Sequence, residues 1–105
     1  MELQNEGGVT AISIANAKRL LDVLGKPERL ELTYTDEDWY RVTAVWPLGR
    51  NHTFTGFSWG YNGEGPRGLE IFCRMCGIKV DLPEISRWPM KEPRTLLVPG
   101  DHPAS

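Results

Sequence analysis

Thr53-Phe54-Thr55-Gly56-Phe57-Ser58-Trp59-Gly60-Tyr61-Asn62-Gly63-Glu64-Gly65-Pro66-Arg67-Gly68-Leu69 is the stretch whose reading decides the fold. Five of the eleven glycines fall here, interleaved with Phe57, Trp59 and Tyr61. Fixing a glycine costs more backbone entropy than fixing any other residue, so this density marks geometry that side chains forbid. The stretch reads as a strand that runs into a tight loop, then a helix that begins at Pro66. Proline suits a first helical position because its missing N–H would be unpaired there anyway.

Working upstream, Arg29–Trp46 has a period of two. Leu30, Leu32 and Tyr34 alternate with Glu31 and Thr33, and after the turn Thr35-Asp36-Glu37-Asp38 one face carries Tyr40, Val42, Ala44 and Trp46 with Arg41, Thr43 and Val45 on the other. This is the pattern of a β-hairpin with one buried face. Pro47–Asn51 makes the next turn, and a third strand runs from about His52 to Ser58 with a bulge or kink at Gly56. Before the hairpin, Ile14, Ala17, Leu20, Leu21 and Leu24 recur at helical spacing. Ser13 is positioned as an N-cap and Gly25 as the C-terminal glycine. Residues 1–9 read as a flexible lead.

Downstream, the second helix ends at Gly77, and Ile78, Val80 and Leu82 are spaced for a short fourth strand. Five of the eight prolines lie beyond residue 82, so residues 83–105 read as a mostly irregular tail with a single helical turn around Pro83–Arg87. The expectation is one α+β domain over residues 1–105, a small antiparallel sheet of three to four strands packed on two helices at 14–24 and 66–76.

Composition narrows the partner classes. A net charge of −2 over 105 residues gives no electrostatic footprint for tight DNA binding, which neutralises several phosphates. No apolar run reaches the ~18 residues of a membrane span, so no membrane partner is expected. The N-terminal residues lack the basic and apolar regions of a signal peptide, and with two cysteines this points to a cytoplasmic, reducing setting.

The glycine loop could cradle an anion at a helix N-terminus. It lacks a P-loop ending, and Gly63, Gly65 and Gly68 match Gly-x-Gly-x-x-Gly only with Pro66 and Arg67 inside and no βαβ unit around them. Glu64 adds a negative charge that Arg67 can offset. A structural turn is the plainer reading. The aromatics Trp39, Trp46, Phe57, Trp59 and Tyr61 could stack bases, but a small domain needs them as core. Trp59 and Tyr61 lie where strand gives way to loop and are expected to be partly exposed. Cys73-Arg74-Met75-Cys76 has the spacing of a redox or metal pair. Leu69, Phe72, Cys73 and Cys76 nevertheless form one apolar helix face, so two buried free thiols are expected. His52 and His102 complete no zinc-finger spacing. No catalytic residue, metal or cofactor is assigned.

The run from Thr55 to Leu69 resembles the signature of a family of small bacterial and phage or plasmid proteins, the domain of unknown function 6166. Its core is close to Gly-Phe-x-Trp-Gly-Tyr-Gly-Gly-x-Gly-Pro-x-x-Leu. Gly56, Phe57, Trp59, Gly60, Tyr61, Gly63, Gly65, Pro66 and Leu69 match, and Asn62 replaces a glycine. The resemblance spans about a fifth of the chain and implies a mobile-element gene whose product acts by binding. The function expected is therefore a small non-enzymatic binding protein engaging a host protein or small ligand. Its candidate binding residues are Trp59, Tyr61, Asn62, Glu64 and Arg67, projecting from the loop. The alternative is a nucleotide- or nucleic-acid-binding module using Arg50, Arg67 and exposed aromatics, and an enzyme comes third.

Overall fold

Period-two alternation pairs β1 (Arg29–Thr35) with β2 (Trp39–Val45) antiparallel, Leu30 opposite Ala44 and Leu32 opposite Val42. The computed structural model describes residues 2–100. β3 (Asn51–Phe54) pairs antiparallel with the other edge of β2, from Val42 opposite Phe54 to Val45 opposite Asn51. A fourth strand, β4 (Arg94–Leu97), pairs with β1, giving the order β3-β2-β1-β4. The expected α+β architecture is thus present, as a four-stranded antiparallel sheet with three helices.

One sheet face packs beneath the helices. α1 (Thr10–Leu24) contributes Ala17 and Leu20, and α2 (Glu64–Met75) contributes Leu69, Phe72 and Cys73. These meet Leu30, Leu32, Val42, Ala44 and Phe54 from the strands. Phe57 stacks on Phe72 with centroids 5.2 Å apart and planes 17° apart, and Phe54 lies 4.8 Å from Phe72. Each buried phenylalanine contributes roughly 1.5–3 kcal/mol by removal from water. The opposite sheet face is polar, carrying Glu31, Thr33, Thr43, Thr53 and Thr95.

Several boundaries differ from expectation. α1 starts at Thr10 with Val9 as N-cap, and Ser13 is buried one turn inside, its hydroxyl committed to tertiary bonds. α2 starts at Glu64, two residues before Pro66, with extended Gly63 as its cap. The fourth strand is not 78–82. Gly77 turns the chain at φ 80°, and the Asp81 carboxylate then caps the Glu84 N–H to start a short α3 (Leu82–Arg87).

Bonds tie the proline-rich segment to the rest of the fold as far as Val98, whose N–H donates to the Glu28 carbonyl. Gly60 N–H donates to the Ile85 carbonyl, the Trp59 indole donates to the Met90 carbonyl, and Arg94 lies 4.4 Å over the Trp88 ring. Pro93 and Pro99 flank β4, an edge strand, where a missing N–H is tolerated. His102 and Pro103 lie outside the described residues.

Candidate functional site

β3 follows β2 only as far as Val42. Trp39, Tyr40 and Arg41 keep β1 on one side, but Thr55–Ser58 swings away toward α1 and leaves their other edge without a strand. A cleft of about 1010 Å³ opens there, bounded by residues 4–8, the β1–β2 turn, Tyr61 and the start of α2.

A buried carboxylate holds the chain in this detour. Glu6 accepts from the Asn16 amide at 2.9 Å, from His52 Nε2 at 2.8 Å, from the Thr55 N–H at 2.8 Å, and from the Ser13 hydroxyl. Burial alone would raise the Glu6 pKa. Bonds from His52, Ser13, Asn16 and the Thr55 N–H outweigh it and hold it at about 2. The ionised carboxylate accepts only, so His52 carries its proton on Nε2. Ser13 Oγ in turn accepts from Gly56 N–H at 2.9 Å, and Thr10 Oγ1 donates to the Gly56 carbonyl at 2.7 Å. A Cβ on Gly56 would stand 2.5 Å from the Val9 carbonyl oxygen, so only glycine allows this approach. The residues read as a flexible lead therefore include the anchor of the site wall.

The opposite wall is the β1–β2 turn. Trp39 sits there at φ 60°, in the left-handed region, with 67% of its surface exposed. A bulky residue at positive φ costs of order 1–3 kcal/mol, and such strain clusters at functional sites. Behind it an aromatic series runs inward: Tyr61 to Tyr40 at 6.4 Å, then Tyr40 to Trp59 at 4.8 Å edge-to-face. The Tyr61 hydroxyl shares a 2.8 Å hydrogen bond with Ser58 Oγ. Burial, then the nearby phenols of Tyr61 and Tyr34, raise the Tyr40 pKa.

Of the loop residues singled out by sequence, Tyr61 and Glu64 line the cleft, and Tyr61 is 47% exposed. Asn62 and Arg67 are exposed but do not line it. Trp59, expected to be partly exposed, is 1% exposed because its indole fills the core between Tyr40 and the chain near Met90. The glycines are structural. Gly60 has φ 88°, and a side chain at Gly65 or Gly68 would collide with Ser58 Oγ or Thr10 Cγ2. Sequence reasoning missed Trp39 as a cleft residue because an aromatic in a small domain signals core. Its place at the end of an acidic turn was the available clue.

Cys73 and Cys76 are buried free thiols. Burial, then Cys76 and Glu70, push the Cys73 thiol up to about 12, and burial pushes Cys76 to about 12. Among the described residues no three His, Cys, Asp or Glu side chains gather as a metal site. Nor is any helix among them long and apolar enough to cross a membrane. No family model, curated protein or solved structure matches the chain.

Proposed function

We propose that this is a small non-enzymatic binding protein of the domain-of-unknown-function 6166 type, encoded by a phage or other mobile element and acting in the cytoplasm. It engages a host protein or small ligand through the cleft between Trp39 and Tyr61. The observation that carries this reading is Trp39, a large apolar side chain held exposed in a strained backbone conformation at the mouth of the cleft. An exposed aromatic supplies contact area with little side-chain entropy to lose, and a rigid wall lowers the ordering cost of binding. The Glu6 clamp and the close-packed glycines supply that rigidity. The glycine segment thus acts behind the surface, and on this reading its resemblance to the family signature is one of scaffold rather than of binding surface.

The test is affinity capture from bacterial lysate, with and without nuclease, using the intact chain and its Trp39→Gly variant. The expected result is a species retained after nuclease treatment and absent from the variant. Capture that survives Trp39→Gly would overturn the reading. Capture abolished by nuclease and falling steeply with salt would establish the nucleic-acid alternative.

A further inference from the structure

Backbone parity along β2 defines what the cleft can take. Trp46 N–H donates to the Arg50 carbonyl across the β2–β3 turn, and Val42 and Ala44 face Phe54 and His52. In an antiparallel strand a residue's N–H and C=O point to the same side, and that side alternates along the strand. The even-numbered residues of β2 therefore turn their polar groups toward β3. Tyr40 follows the same parity, but β3 has left. Its N–H and carbonyl face the cleft, and Arg41 Nη1 donates to that carbonyl at 2.9 Å, where the N–H of a neighbouring strand would donate.

The charge around this edge is predominantly negative. Glu37, Asp38 and Glu64 border the cleft, and none of them is in an ion pair among the described residues. The two basic side chains on the lining are already engaged, Arg41 with the Tyr40 carbonyl and His52 with Glu6. Carboxylates that share the cleft lining with Trp39 and Tyr61 form an environment for a cation over an aromatic face.

Resting on the cleft reading above, we infer that the occupant is an extended, lysine- or arginine-bearing peptide segment of a partner protein. It takes the place β3 vacates, pairs with the Tyr40 backbone, and lays a basic side chain between Trp39 and Tyr61 against Glu37, Asp38 and Glu64. Main-chain pairing supplies affinity and the side-chain pocket supplies specificity, as in strand addition elsewhere.

The probe is a displayed library of randomised heptapeptides selected on the full-length protein, followed by synthesis of the enriched sequences. Enriched peptides should carry a lysine or arginine and should protect the Tyr40 amide from hydrogen exchange. Backbone N-methylation along them should weaken binding about tenfold at the one amide that faces the Tyr40 carbonyl and little elsewhere. The surface variant Glu37→Gln/Asp38→Asn/Glu64→Gln should fold normally, bind these peptides several-fold more weakly, and show less salt dependence. Selection of no peptide, of acidic peptides, or of peptides indifferent to N-methylation overturns the strand inference. If such ligands still perturb Trp39 and Tyr61, the cleft reading survives. If they perturb only residues outside the cleft, both fail.

Discussion

The two walls of the cleft are built on opposite terms. The wall from Thr55 to Gly65 is glycine-rich, and its residues sit where a buried carboxylate and close helix contacts require them. The wall at Thr35–Trp39 is polar, exposed and strained, and it carries a tryptophan where glycine would be easier. The dense glycine motif marks architecture, whereas Trp39, costly and unburied at the mouth of the cleft, marks the proposed binding site. Stability should therefore fall when the first wall is altered and rise when the second is relaxed.

The largest expected effect lies in Glu6. Its folded pKa of about 2, against an ordinary value of 4.5, corresponds to about 3 kcal/mol of folding free energy. Because the folded pKa is depressed, this stability is present above pH 4.5 and is lost as pH falls toward 2. Glu6→Gln should be less stable than the parent at pH 7, and urea unfolding at a series of pH values should show the gap closing through that window. A gap constant with pH would remove Glu6 as the anchor.

Gly56→Ala comes next, at about 2 kcal/mol of destabilisation, because its Cβ meets both the backbone carbonyl of Val9 and the Ser13 hydroxyl that is already bonded to the Gly56 N–H and Glu6. Chemical denaturation measures it, and a neutral outcome would mean the wall yields. On the other wall the sign reverses. Trp39→Gly should add about 1 kcal/mol, since glycine adopts the left-handed region without strain. Arg67→Ala and Glu64→Gln should each shift stability by less than about 0.5 kcal/mol, as exposed polar changes do. Only Glu64→Gln should weaken binding, because Arg67 does not line the cleft. Equal losses in binding would move the site onto α2.

Much of the fold was legible because its signals are local. The alternation of Leu30, Leu32, Val42 and Ala44 states the hairpin and its buried face, and the run Leu69, Phe72, Cys73, Cys76 states the packed side of α2. β4 was hidden because Arg94–Leu97 is four residues between prolines, and pairing with β1 alone makes it a strand. The Glu6 clamp was hidden because its partners lie 7 to 49 positions away in sequence. Within the site, Tyr61 and Glu64 were legible from their place at the loop end. Trp39 was not, since strain at φ 60° is a property of the closed hairpin and leaves no trace in composition.

That strain offers the most direct test of the account. Thermal unfolding and ligand capture should be measured side by side on the parent and Trp39→Gly. The expected result is a melting temperature higher by several degrees together with loss of the captured species. A melting temperature that falls, or capture that persists in the variant, would contradict the claim that Trp39 is held exposed for binding.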